Sequence, residues 1–431
     1  MRSRLVSSGG KNEIYLASST ASRLFKAVCR MSVSDSNSVL RRDAIPKRPW
    51  SHCLPPPIVM MGVPLDQLNT AQALEIIGEM IASRTPHLLA TANVDFLAQV
   101  QGDETLRRIL VDADLILCDG TPLIWMSKWL GDPLPERIAG SDLVPLLLDL
   151  AQENGHRVFF LGGRDEVVAI AEDKIKERWP NLQIAGMYSP PFAPMDKMDH
   201  AGICKRIREA NADILFVSFG CPKQEKWLAL NFRDAGVPVA IGVGATIDFL
   251  AGAVKRAPVW MRKTGLEWFF RVAQEPNRLA HRYWTDICVV GPGLLKQLLK
   301  MRSRNQVHSK TIDANSAIKP NSVDEPSQSS PPVIMLPERL DAQSARDATL
   351  WPTVESRTLS SLIIDASRTT FLDSTGTGKL VRFARASREH GGLCILMGAT
   401  PTVLSTLDLM KLRNLFTEAA TLEEAIAIAA Q

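Results

Sequence analysis

The chain has 431 residues, 45% of them hydrophobic and 22% charged, with a formal net charge of +4. That is enough chain for two domains with buried cores, and it excludes disorder for most of the length. Seven scattered cysteines, odd in number and without a CxxC spacing, exclude a disulfide framework and a cysteine-based zinc site, and they fit a reducing cytoplasm.

Residues 1–57 end in Pro55-Pro56-Pro57 and show no sustained period, so they read as a disordered extension. They are rich in Ser and Arg and carry a local charge of +7 over the first 50 residues. This superficially suggests a transit peptide, but an unstructured extension, or an early start with Met31 or Met60 as the true first residue, reads better. From Ile58 the pattern becomes globular. Met60–Val63 reads as a first strand and Thr70–Ala82 as an amphipathic helix.

Five short apolar segments then alternate with helical periods: Leu88–Asn93, Leu115–Gly120, Arg157–Gly163, Asp213–Phe219 and Val239–Gly244. Asn93 and Asp165 are candidate N-caps, and Ser141 and Asp142 open a helix that runs to Glu153. Alternation of this kind predicts an α/β domain with a mostly parallel, doubly wound sheet. Right-handed crossovers put all the strand ends on one side, so Thr91, Asn93, Asp119, Gly163, Gln224 and Gly244 should approach one crevice. The segment Phe219-Gly220-Cys221-Pro222-Lys223-Gln224 joins a strand end to a helix start. There a lysine and free helix N–H groups favour anionic ligands such as nucleotide phosphates. An ordinary connection with a surface lysine is the plainer reading of that segment alone.

Asp112-Ala113-Asp114 matches a metal-binding DxD pattern literally, but it precedes its strand and so falls at the wrong sheet edge; it reads as a solvated helix end. Residues 255–304 form a largely helical tail with eleven Lys or Arg against three acids, a net of +8, interleaved with Trp260, Trp268, Phe269, Phe270, Tyr283 and Trp284. That composition suits an anionic bilayer surface or a phosphate-rich ligand. No nucleic-acid-binding motif accompanies the charge. No run reaches the roughly 18–20 apolar residues of a membrane span, since Ile287–Leu295 is short and interrupted by Gly291, Pro292 and Gly293. Residues 305–332 are a polar linker rich in Ser, Asn and Pro. A second domain, 333–431, follows with strands at Val333–Leu336, Leu359–Asp365 and Leu393–Met397 and helices at Gly378–Glu389 and Pro401–Lys411.

Several motifs, in order, carry a resemblance: TAN at 91–93, CDGTPLIW at 118–125, RIAGSDL at 137–143, FFLGG at 159–163, FGCPKQEKW at 219–227, GVGATIDFLAG at 242–252 and GLEWFFRVAQEPNRLAHRY at 265–283. The segment 58–304 resembles the WecG/TagA/CpsF glycosyltransferases, which implies a Rossmann-like fold. It also implies transfer of an N-acetylmannosamine-type sugar from a UDP-sugar to a polyprenyl-diphosphate-linked acceptor at the cytoplasmic face of the membrane. The resemblance places the catalytic aspartate on Asp119. A carboxylate at a strand end beside Leu117 would be partly desolvated and so a better base, although an Asx-turn is the plainer alternative. Thr91 and Asn93 fall on pocket positions, and Arg137, Lys223 and Gln224 on donor-binding positions. Arg271, Arg278 and Arg282 fall on tail positions implied to close over the site; Arg271 and Arg278, seven apart, would share one helix face. His281 stands where the family often has another arginine. The resemblance also implies catalysis without a metal or other cofactor.

The second domain resembles a STAS domain of the anti-sigma-factor antagonist type, on LDA at 340–342, LIIDAS at 362–367 and FLDSTGTGKL at 371–380. That implies regulatory phosphorylation at Ser374, with Thr375 as the alternative acceptor, and a protein partner or kinase; a plain docking role is the rival. For the whole chain the alternatives are a UDP-sugar-sensing regulator, a transferase using UDP-glucose or UDP-N-acetylmannosaminuronate, and a nucleotide-sugar epimerase. The last is disfavoured because no GxGxxG follows the first strand. The oligomeric state stays open.

Overall fold

The computed structural model describes residues 54–254, 257–274, 276–308, 331–347, 350–351 and 361–430. Of the extension expected over residues 1–57, residues 1–53 lie outside the described residues, as does 309–330 of the linker expected over 305–332. Residues 54–57 are not disordered: Pro56 and Pro57 are buried, and the carbonyls of Leu54, Pro55 and Pro56 accept from Arg382 and Gln67. The chain begins with a hairpin, β1 (Ile58–Met60) antiparallel to β2 (Val63–Leu65). The segment expected as a first strand is largely its turn, because Met61 and Gly62 adopt positive φ and reverse the chain.

Helix α1 (Thr70–Ser83) starts in a capping box, Asn69 with Gln72. It leads into β3 (His87–Ala92), α2 (Val94–Gln99), α3 (Glu104–Asp112), β4 (Leu115–Cys118), α4 (Thr121–Trp129) and α5 (Gly140–Asn154). Next come β5 (Arg157–Gly162), α6 (Asp165–Arg178), β6 (Gln183–Tyr188), α7 (His200–Glu209), β7 (Ile214–Ser218), α8 (Lys223–Ala235), β8 (Val239–Gly242) and α9 (Thr246–Leu250). Residues 191–199 carry one 3-10 turn, Met195–Lys197.

Six strands form one parallel sheet in the order β4-β3-β8-β7-β5-β6. Apart from Arg157 and Ser218 at their ends, the five inner and upstream strands are buried along their length. This is why they read as continuous apolar runs rather than alternating ones. On one face Leu115, Leu117, Phe160, Phe216 and Ile241 pack against Ile77 of α1, Leu143 and Leu147 of α5 and Ile175 of α6. Strand β6 escaped the sequence reading because its side chains are half-exposed and Gly186 interrupts it; a side chain at 186 would strike Phe159. Asp165 is not the cap of α6 but its first residue, while Arg164 occupies the cap position; its carboxylate still favours the positive helix start.

The tail comprises α10 (Val259–Lys263), α11 (Glu267–Gln274) and α12 (Pro276–His308). The rings of Trp268 and Tyr283 lie 6.0 Å apart. Fifteen residues of straight helix would separate them by about 22 Å, so the chain folds back between α11 and α12. Arg271 and position 278 therefore do not share one helix face. As expected of a largely helical tail, α12 is continuous through Gly291-Pro292-Gly293, and it extends past the expected linker start at 305. Its buried stripe is Leu279, Asp286, Val290, Leu294, Gln297 and Met301.

The second domain contains β9 (Val333–Met335), β10 (Arg339–Leu340), α13 (Ala342–Arg346), β11 (Leu362–Asp365), β12 (Phe371–Leu372) and α14 (Ser374–Glu389). It ends with β13 (Cys394–Met397), α15 (Pro401–Leu409), β14 (Thr417–Ala419) and α16 (Leu422–Ala429). Four of its strands form a parallel sheet, β14-β13-β11-β9, and β10 pairs with β12. Helix α14 starts four residues before the expected Gly378, because the Asp373 carboxylate caps it by accepting from the Gly376 N–H at 2.7 Å.

Candidate active site

The parallel sheet puts the loops after β3, β4, β5, β7 and β8 at one edge, the position where open α/β sheets bind ligands. Asp119 follows β4 directly. Its N–H donates to Ala92 O at 2.8 Å, tying it to the end of β3, where Thr91 and Asn93 sit. The Asp119 Oδ2 accepts from the Gly140 N–H at 3.3 Å, which aims the carboxylate at the N-terminus of α5. Gly140 in turn faces the Thr91 hydroxyl; a Cβ at 140 would lie 3.3 Å from Thr91 Oγ1. Asn93 caps α2 by accepting from the Asp95 N–H at 3.0 Å, so the capping role foreseen for it is present.

Burial pushes the Asp119 carboxyl up to about 6, with the Arg137 and Arg271 guanidinium groups and the Gly140 N–H pulling it down and Glu267 pushing it up. At neutral pH the group is an ionised carboxylate whose affinity for a proton exceeds that of an ordinary aspartate. It is partly open to solvent, so a hydroxyl can reach it.

Arg137 bridges two carboxylates, Asp142 at 2.8 Å and Glu267 at 3.2 Å. Arg271 holds the other oxygen of Glu267 at 3.3 Å and lies over the Phe249 ring, and Arg262 joins Asp142 at 3.0 Å. Two guanidinium groups thus converge on Glu267 next to Asp119. Arg282 pairs with Asp95 at 2.5 Å on α2 rather than with this cluster. The Arg278 side chain lies outside the described residues.

Gln224 and Gly244 meet on the other flank. The Gly244 N–H donates to Gln224 Oε1 at 3.1 Å, and Gln224 Nε2 donates to Glu225 Oε1 at 2.7 Å. Burial raises the Glu225 carboxyl to about 7. Lys223 is the first residue of α8, with its Nζ 5.5 Å from the Phe219 ring centroid. Gly163, in the loop after β5, adopts φ +91 and lies against Val168 and Ile247. Asp114 sits at the opposite sheet edge, where it accepts from the Leu88 N–H at 2.8 Å, and Asp112 pairs with Arg108 and Arg388; the DxD segment is remote from Asp119. Among the described residues no group of three or more His, Cys, Asp and Glu is arranged to hold a metal ion.

Sequence reasoning did not single out Glu267 or Glu225, and it read Asp142 only as a helix opener. The signals were present: Glu267 stands four residues before Arg271, the spacing of a helical ion pair, Asp142 stands five after Arg137, and Glu225 follows Gln224 directly. In the second domain Ser374 is 2% exposed. Its Oγ accepts from Gln297 Nε2 at 3.0 Å and approaches Met301 Sδ at 3.6 Å, so the hydroxyl expected to take a phosphate is buried against α12. Thr375 is fully buried and donates to Asp132 Oδ2 at 2.6 Å.

Comparison with known proteins fits this architecture. The chain is 31% identical over 222 residues to an N-acetylglucosaminyldiphosphoundecaprenol N-acetyl-beta-D-mannosaminyltransferase of Staphylococcus aureus (strain MW2), covering 51% of this chain and 85% of that protein. To the protein of the same description from Bacillus subtilis (strain 168) it is 35% identical over 192 residues, 44% of this chain and 73% of the relative. A STAS domain model matches residues 323–425. The model of the glycosyl transferase WecG/TagA/CpsF family matches residues 58–304, and with Asp119, Arg137 and Gln224 gathered at one sheet edge, the chain belongs to that family of glycosyltransferases.

Proposed function

We propose that the chain transfers a sugar of the N-acetylmannosamine type from a UDP-sugar to a polyprenyl-diphosphate-linked acceptor, with inversion at the anomeric carbon, in cell-surface polysaccharide synthesis. The observation that carries the reading is Asp119: a desolvated carboxylate at a sheet edge, flanked by two arginines and a helix N-terminus. The acceptor hydroxyl gives its proton to Asp119 as its oxygen bonds to the anomeric carbon. The bond from that carbon to the diphosphate oxygen breaks, and UDP leaves with the electron pair. Arg137 and Arg271 take up the growing charge on the diphosphate by exchanging Glu267 for it. Gln224, held by Gly244 and Glu225, and Thr91 and Asn93 orient the sugar. In this scheme leaving-group charge is met by guanidinium groups rather than a metal ion. The names of the two relatives support the acceptor and the sugar.

The tail gives the chain a surface for the anionic inner face of the membrane. Trp260, Trp268, Phe269 and Trp284 are exposed among basic residues, and no helix of the described residues is long and apolar enough to cross a bilayer. A hydrophobic, cationic face of this kind binds peripherally. Phosphorylation of Ser374 belongs to the same proposal and requires Gln297 to withdraw first.

The test incubates purified protein with a panel of UDP-sugars and a lipid-diphosphate-linked N-acetylglucosamine acceptor, with and without EDTA, and follows UDP release and product mass. Transfer of N-acetylmannosamine from UDP-N-acetylmannosamine to the acceptor, with UDP released equally well in EDTA, is the expected result. Donor binding with no turnover for any sugar would instead identify a UDP-sugar-sensing protein.

A further inference from the structure

The STAS-family domain is built onto the transferase domain. Val59, Val111 and Met301 of the first domain lie in one buried cluster with Leu340, Leu372, Leu380 and Leu407 of the second. The first turn of α14 is the centre of the contact. Thr375 donates to Asp132, and Arg346 donates to both oxygens of the same carboxylate at 2.6 Å and to Gln67 Oε1 at 2.7 Å. Ser374 accepts from Gln297, whose Nε2 also donates to Val59 O at 3.0 Å and whose Oε1 accepts from the Met61 N–H at 3.0 Å. Gln297 is therefore a three-way tie between the hairpin, the tail helix and the STAS helix start, and it is 1% exposed.

One glycine is shaped to the contact between the domains and another to the seat of α12 on the hairpin. A Cβ at Gly378 on α14 would lie 1.7 Å from Pro57 O, and one at Gly293 on α12 would lie 2.3 Å from Met61 Cε. A larger residue at Gly378 forces the backbones apart, whereas one at Gly293 makes the Met61 side chain move.

We propose that the partner of this STAS-family domain is the transferase domain of its own chain, and that its Ser374–Thr375 helix start is a clasp fixing helix α12 and the arm that carries Glu267 and Arg271. The lever is direct. Helix α12 spans from Arg282, paired with Asp95 at the catalytic edge, to Gln297 under the clasp, about 22 Å of continuous helix. Its N-terminal end packs Tyr283 edge-on against Trp268 of α11, and α11 places Glu267 on Arg137. Letting go at Gln297 thus loosens the element that covers the arginines beside Asp119. An outside protein that reads the same helix start has to displace Gln297 and Asp132 first.

Hydrogen exchange on the full chain tests this. Ser374→Glu puts bulk and charge into the buried contact, and Gln297→Ala removes the tie from the opposite side. Both are expected to raise exchange of the amides in 267–274 and 276–301 by about tenfold or more, while the STAS strands Leu362–Asp365 and Cys394–Met397 keep their protection. Combining Ser374→Ala with Gln297→Ala should loosen the arm no more than Gln297→Ala alone, because Gln297→Ala already removes the bond that ties Ser374 to α12. Unchanged exchange in 267–301 for Gln297→Ala, or for a folded Ser374→Glu, overturns the clasp, as does strict additivity of the two alanine variants. If Ser374→Glu fails to fold, Gln297→Ala decides.

Discussion

Replacing Asp119 by asparagine should make the enzyme inactive and, at alkaline pH, more stable. The carboxyl is raised from 3.8 to about 6, chiefly by burial. A native state that holds the proton more tightly than the unfolded chain binds more protons between those two values, so stability falls as pH rises through that window. Two pH units correspond to about 3 kcal/mol, an upper figure for a group still partly open to solvent. Above pH 7 the penalty is fully present and Asp119→Asn removes it; below pH 4 it is absent and the variant gains nothing. The asparagine carbonyl keeps the acceptor for the Gly140 N–H. Loss of the base should lower kcat by about 10²- to 10⁴-fold with the donor Kd nearly unchanged. The wild-type kcat/KM should rise with pH, half-maximal near 6, since only the ionised form accepts the proton. Denaturant melts at pH 4.5 and 8, and rates from pH 5 to 8.5, measure both effects. An active variant, or a variant destabilised equally at both pH values, refutes the reasoning.

Other consequences follow from the neighbours of Asp119. Glu267→Gln releases Arg271 and leaves Arg137 only Asp142, and it removes a charge that raises Asp119, so UDP should bind about three- to tenfold tighter and the acid limb of the rate profile should move to lower pH; weaker UDP binding by calorimetry would contradict this. Gln224→Ala takes the acceptor from the Gly244 N–H and a donor from Glu225, and should raise the donor KM and cost about 1–2 kcal/mol of stability; an unchanged KM would separate Gln224 from the donor. Trp260→Ala with Trp284→Ala should weaken sedimentation with anionic vesicles and leave turnover on a water-soluble acceptor intact; equal vesicle binding would remove the membrane role of these exposed rings.

The strand runs LLATAN, LILCDG and VAIGVG were legible because burial on both faces of a parallel sheet leaves an uninterrupted apolar signature. The same rule made Thr91, Asn93, Asp119, Gln224 and Gly244 legible as neighbours, since strand direction alone puts their loops at one edge. Strand β6 was not legible, because half-exposed side chains and Gly186 erase the pattern. The β1–β2 turn was hidden for a different reason: Met61 takes a positive φ that nothing in its side chain announces. The fold-back between α11 and α12 depends on Trp268 meeting Tyr283, a tertiary contact that helical periodicity cannot report. Ser374 was readable as a helix start beside Asp373, but its burial under Gln297 depends on residues 77 positions away.

The most direct measurement is the structure of the Asp119→Asn variant with a UDP-sugar and an acceptor analogue bound. The account predicts the position-119 carboxamide within about 3 Å of the acceptor hydroxyl, with the diphosphate on Arg137 and Arg271 in place of Glu267. A position-119 side chain turned away from the sugar, with the diphosphate held elsewhere, would contradict it.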